Sequence, residues 1–171
     1  AKASLVNVGD DVTAILTRAT TAAADASLPE PARVPAVQLL SHLPYATVSP
    51  VLLPLLDQRQ PQVIQLAALE TLARFNDALV GTALVERWDS LTPRVRAEAV
   101  PVLLARPERA TAFLHAIEAG SIRASVLDTT QVKLLTTYRD AGVRQLATKV
   151  LAAQPASSRQ QVIDNFSAAL T

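Results

Sequence analysis

Apolar residues recur along this chain at every fourth position, in blocks that themselves recur. Val63-Ile64-Gln65-Leu66-Ala67, Val95-Arg96-Ala97-Glu98-Ala99 and Val143-Arg144-Gln145-Leu146-Ala147 align on one template. Leu103 and Leu151 then fall eight residues after their leading valines. Ala32-Arg33-Val34-Pro35-Ala36, with Leu40 at that offset, is a weaker fourth copy. Apolar residues at i, i+4 and i+8 form one stripe of an α-helix, so each block predicts a helix that buries one face. The lead positions 32, 63, 95 and 143 lie 31, 32 and 48 residues apart, a period typical of helical arrays. The longer last spacing places an insertion at 108–127, predicted as one extra helix and a short turn around Gly120-Ser121.

A single helical hairpin cannot cover its own apolar face, so stacked neighbours must supply the cover. The small alanine at i+4 lets crossing helices approach closely. The expectation is therefore an all-α superhelix of stacked helix pairs. Helices are predicted at about 10–24, 32–43, 48–57, 62–75, 77–88, 92–105, 108–119, 128–138, 141–153 and 158–170. Pro61 and Pro93 sit two residues before lead valines, in the first turn, where a missing N–H costs little. Asp140 is placed to cap one helix, and Ser157 or Ser158 the last. Pro101 should kink its helix by opposing the Ala97 carbonyl, and Pro54 either kinks or begins one. Residues 1–31 read as a tail, a partial helix and a linker, and 32–171 as the repeat domain.

Half of the 171 residues are hydrophobic, mostly alanine and leucine, with 4 glycines and 4% aromatic residues, which favours helix over sheet. Sixteen basic and fifteen acidic residues give a net charge of +1, without the excess of Lys and Arg that phosphate neutralisation requires. With no cysteine, the sequence offers no disulfide, thiolate metal site or covalent haem attachment. No apolar run reaches the length of a membrane span. The chain opens Ala1-Lys2-Ala3-Ser4 without methionine or a signal pattern, which predicts a fragment of a longer polypeptide.

The template Val-Arg-x-x-Ala-x-x-x-Leu resembles the second helix of HEAT repeats. A longer order of segments is more specific. Leu84-Val85-Glu86-Arg87-Trp88-Asp89-Ser90-Leu91 leads into Pro93-Arg94-Val95-Arg96, and Ala116-Ile117-Glu118-Ala119-Gly120-Ser121-Ile122 into Gln131-Val132-Lys133-Leu134-Leu135. Val143-Arg144 and Arg159-Gln160-Gln161-Val162-Ile163 follow. Over residues 32–170 this is similar to the helical region of large secreted proteins of planctomycetes and verrucomicrobia. In those, a sugar-dehydrogenase-like propeller comes first and a cytochrome c domain last. The resemblance implies a HEAT/armadillo-like solenoid and a periplasmic or secreted setting between two redox modules. It carries no haem function to this chain, which lacks the Cys-x-x-Cys-His.

Candidate chemistry is sparse. His42 and His115 are the only histidines, and His115 with Glu118 at i+3 falls short of a metal-ligand set. Asp10-Asp11 and Asp25 are paired carboxylates in sequence, yet Asp10 after Gly9 reads as a helix cap. Ser41, Ser49 and Ser90 lack the glycine-flanked elbow of a nucleophile. Trp88 is either a binding anchor or, from its place at the end of an apolar helix, part of the core. Arg106, Arg109 and Arg123 are expected to be solvated.

Arg33, Arg96 and Arg144 share one repeat offset, and Asp57 and Asp89 each lie six residues before a lead valine. They are read either as charges facing a partner or as an Arg–Asp ladder between repeats, and equal offsets favour the ladder. Gln65, Arg94, Glu98 and Gln145 are expected to line an exposed groove. The function expected is a monomeric, non-catalytic scaffold without cofactors, binding proteins or flanking domains of its parent chain, not nucleic acid or membrane. The alternative is a nucleic-acid-binding domain of the HEAT-like glycosylase type, which would need a basic groove with aromatic residues.

Overall fold

The computed structural model describes residues 8–153, with side chains from Thr13 onward. These residues hold nine α-helices, four short 3-10 helices and no strand. The chain divides into two compact units, one ending at Ala99 and one beginning at Val100.

The first unit opens with α1 (Val8–Ala24) and α2 (Glu30–Leu39), which a 3-10 turn at Leu40–His42 extends. Next come α3 (Tyr45–Leu52) with a 3-10 turn at Pro54–Leu56, α4 (Gln62–Arg74), and α5 (Leu79–Glu86) with a 3-10 turn at Trp88–Ser90. Helix α6 (Pro93–Leu104) crosses the division. In the second unit follow α7 (Pro107–Glu118), a 3-10 turn at Ala124–Val126, α8 (Thr129–Thr136) and α9 (Ala141–Ala152). The helix predicted at 158–170, with its serine cap and the Arg159–Ile163 segment, lies outside the described residues.

Proline sets most of the helix starts. Pro29, Pro44 and Pro61 occupy the N-cap positions of α2, α3 and α4, while Pro93 and Pro107 are the first residues of α6 and α7. The missing N–H is lost where a helix has no use for it. Pro54 begins a 3-10 turn and does not kink a longer helix. Helix α6 runs through Pro101, and Ala97 and Pro101 are both exposed, so water can take the carbonyl that proline frees. Helix α1 begins at Val8, so Asp10 lies inside the first turn and not at the cap.

The core is a set of repeated stripes. In α2 and the turn that extends it Arg33, Ala36, Val37 and Leu40 are buried, and 32 positions later Gln65, Ala68, Leu69 and Leu72 of α4 are buried too. From α4 to α6 the offset is 31: Ile64, Ala68 and Leu72 correspond to Val95, Ala99 and Leu103, all fully buried. Val143, Ala147 and Val150 form the stripe of α9. The sequence alignment was therefore one residue out in α4. Val63 is 42% exposed and Ile64 leads the stripe, because the adjacent apolar pair offers two registers and packing selects the larger side chain. Trp88 is buried in the first unit, as expected of a core residue.

In the second unit, the extra helix predicted at 108–119 is α7, and the turn at Gly120-Ser121 is present. Gly120 has φ +79°, its N–H donates to the Ile117 carbonyl, and the Ile122 N–H and Ser121 hydroxyl return to Ala116 O. Left-handed glycine here closes the helix and buries Ile122 beside it. Asp140 caps α9 through the Val143 N–H at 3.0 Å, and Asp128 forms a reciprocal capping box with Gln131 on α8. Space around Gly120 is open, so Gly120→Ala meets no clash and pays only the left-handed backbone strain, about 1–2 kcal/mol. A thermal melt should show a lowered midpoint for this variant; an unchanged midpoint would contradict the described cap.

Candidate functional site

Correcting the α4 register by one residue changes the meaning of Gln65. It leaves the exposed groove, where it was expected, and takes the helix position shared by Arg33, Arg96 and Arg144. All four side chains donate to a carbonyl in the segment leading into their own helix. Arg33 Nε and Nη2 reach Ala23 O at 3.2 and 3.1 Å, and Gln65 Nε2 reaches Gln60 O at 2.7 Å. Arg96 spans Trp88 O and Asp89 O, both at 2.8 Å, and Arg144 Nη1 reaches Tyr138 O at 2.7 Å. The Ala23 carbonyl lies in the last turn of α1, where intrahelical donors run out. Trp88 O also accepts the Leu91 N–H, and Gln60 and Tyr138 are loop residues.

Two of these residues also bond forward. Arg33 Nη2 donates to Gln60 Oε1 at 3.1 Å, and Gln65 Oε1 accepts from the Thr92 hydroxyl at 3.2 Å. Each pair is 27 residues apart, so Arg33–Gln60 and Gln65–Thr92 are one contact made twice. Thr92 Oγ1 in turn accepts the Val95 N–H at the start of α6. The polar ladder is thus built from amide, hydroxyl and carbonyl groups. The Asp57 carboxylate accepts the Arg59 N–H instead, and Asp89 contributes its backbone carbonyl. Among the described residues, neither carboxylate meets Arg33, Arg96 or Arg144. Sequence reasoning missed Gln60 and Thr92, whose 32-residue separation equals that of Arg33 and Gln65.

Hydroxyls tie helices across longer spans. Thr71 Oγ1 on α4 reaches Val37 O on α2 at 3.3 Å, and Tyr138 OH reaches Leu104 O at 3.0 Å. In both cases the acceptor lies in the last turn of a helix. Burial raises the Tyr138 phenol above its ordinary value, helped by the carboxylates of Glu108 and Asp140.

The remaining groove residues stay outside. Arg94 pairs with Glu98 at 2.9 Å along α6, both side chains about half exposed or more, and Gln145 is exposed on α9. His115 Nδ1 and Lys149 Nζ both lie against the Glu118 carboxylate, at 3.3 and 2.8 Å. Contrary to expectation, Arg109 is buried, at 1% exposure, while Arg123 is exposed. His42 is exposed, and Asp25 folds its carboxylate onto the Ser27 hydroxyl and N–H. No group of three His or carboxylate side chains suited to a metal gathers among the described residues.

Two open grooves have apolar walls. In the second unit Leu104, Pro107, Leu134, Tyr138 and Arg139 line a groove of about 740 Å³. In the first, one of about 380 Å³ runs between α1 and α2. Comparison of the chain with protein-family models, with curated proteins and with solved structures found no match.

Two outcomes follow from these contacts. Gln65→Leu and Thr92→Val should each destabilise by about 1–3 kcal/mol, since each strands a partner. The double variant should fall short of the sum by about 0.5–1.5 kcal/mol in denaturant titrations, and strict additivity would deny the bond. The second concerns Glu118, whose carboxyl is held below its usual value first by Lys149, then by His115. A depressed carboxylate contributes stability above its unfolded pKa and loses it as pH falls through the folded one. NMR titration should show this low midpoint, moving up in Lys149→Ala; no movement would remove the pair from solution.

Proposed function

We propose that this chain is a HEAT/armadillo-like superhelical scaffold that binds protein partners, or flanking domains of its parent polypeptide, without catalysis of its own. The observation that carries the reading is the twice-made 27-residue contact, Arg33–Gln60 and Gln65–Thr92. Polar groups that recur at a fixed offset and bridge successive helix pairs are what nearest-neighbour stacking needs to hold its register. The buried stripes at offsets of 32 and 31 support it equally.

The distribution of charge weighs against a nucleic-acid groove. Arg33 and Arg109 are buried, Arg94 is paired with Glu98, and Lys149 with Glu118. Phosphate binding depends on an excess of cations gathered on one face, and the sixteen basic residues of this chain are balanced by fifteen acidic ones. No helix among the described residues is long and apolar enough to cross a membrane. The resemblance to the repeat region of large secreted redox proteins suggests a monomeric spacer outside the cytoplasm, itself without cofactor.

Small-angle scattering on the whole chain tests the architecture. A closed globule of 171 residues has a radius of gyration of about 15–16 Å. A stacked superhelix gives a larger value and a pair-distance distribution skewed to long distances, and a symmetric distribution at the compact value would sink the reading.

A further inference from the structure

We infer that the groove between α1 and α2 is a docking surface for an amphipathic helix of a partner, one with an aliphatic stripe and a flanking carboxylate. This rests on the scaffold reading and names the partner's chemistry.

The two walls are matched. Helix α1 contributes Ile15, Arg18, Ala19 and Ala22, and α2 contributes Ala32, Pro35, Ala36 and Leu39. Each set is i, i+3, i+4, i+7, the spacing at which one helix face meets another. Ala19 and Ala36 form a buried floor with almost no side-chain bulk, so a third backbone can approach closely. Ile15 and Leu39 stand at the rim, 52% and 39% exposed. These are two of the exposed large apolar side chains of the first unit, and they border one concavity.

The internal repeat says what belongs there. The 32-residue offset that relates α2 to α4 carries Ala32, Pro35, Ala36 and Leu39 onto Ile64, Ala67, Ala68 and Thr71. All four of those are buried, and Thr71 bonds directly to the Val37 carbonyl of α2. This face of α4 is therefore a helix-covered face, and the corresponding face of α2 continues an interface already made once within the unit. A helix presenting apolar residues as α2 and its extending turn present Val37 and Leu40 to the core fits it.

Charge narrows the choice. Among the described residues Arg18 is the charged side chain that lines the groove, and it is exposed. A second copy of the chain docked face to face would bring Arg18 towards its like. A partner helix with a flanking Glu or Asp complements it.

The test uses the whole chain and a synthetic alanine-based helix bearing leucines at i, i+4 and i+7 and one flanking glutamate. Saturable shifts of α1 and α2 amide resonances are expected. Ile15→Lys and Leu39→Lys, at exposed positions that leave the fold intact by circular dichroism, should weaken binding about tenfold. Arg18→Glu should weaken the glutamate peptide and favour its lysine counterpart. The inference is overturned by absence of saturation, by binding indifferent to these three substitutions, or by groove shifts that grow with protein concentration alone and mark a second copy. Failed or indifferent binding leaves the scattering profile of the free chain unchanged, and extrapolation to zero concentration removes a second copy from it, so the superhelix stands or falls separately.

Discussion

A primary amide sealed from water must find both a donor and an acceptor, and the satisfaction of Gln65 governs how the first unit is assembled. At 2% exposure its nitrogen serves the Gln60 carbonyl and its oxygen the Thr92 hydroxyl. One side chain on α4 thereby fixes the loop before its own helix and the cap of α6. Sliding α4 against α6 by a residue would break the Gln65–Thr92 bond, and an orphaned buried polar group costs about 1–3 kcal/mol. Apolar stripes of Ala, Val and Leu tolerate small slips; the polar contacts do not.

That constraint matters because the helices are short. Helices α3, α5 and α8 have 8 residues each, and α4, the longest after α1, has 13. Isolated helices of this length are marginal in water even with good composition, so their order comes from lateral cover. Proline at so many starts and inside α2, α3 and α6 lowers intrinsic helicity further. What compensates is packing on alanine. Ala23, Ala68, Ala99, Ala110 and Ala147 are all fully buried, each at a point where a bulky residue would hold helices apart.

Most of the helix positions were legible in the sequence, because period, proline and caps agree. The extra helix at α7, the glycine turn after it, the Asp140 cap and the burial of Trp88 all follow from local chemistry. The site was less legible, for one physical reason. Val63 and Ile64 are adjacent and alike, and choosing the wrong one rotated α4 by about 100° in the reading. That single step moved Gln65 from the ladder to the groove. It also hid Gln60 and Thr92, which gain meaning only once Gln65 is buried. Arg109 does stand at i, i+4 and i+8 with Phe113 and Ile117, but its charge argues for water, and tertiary packing decides for the stripe.

The four equivalent ladder residues show how local exposure selects chemistry at a repeated position. Arg96 and Arg144 keep their guanidinium groups partly or fully in solvent, where a charge costs little and carbonyl acceptors suffice. At Gln65 solvent is gone, and a neutral amide makes the same backward bond without a charge to desolvate. Arg33 is the exception, charged and 2% exposed. It is held by three bonds instead of one or two, and the Asp25 carboxylate lies close enough to feel its charge. Asp25 is itself lowered first by the Ser27 hydroxyl and N–H, which keeps it ionised opposite Arg33. Truncating a buried cation of this kind strands its acceptors, here Ala23 O and Gln60 Oε1. Arg33 also joins three segments, the end of α1, α2 and the loop before α4. The reach of a guanidinium explains why the first rung keeps the charge that the second has lost.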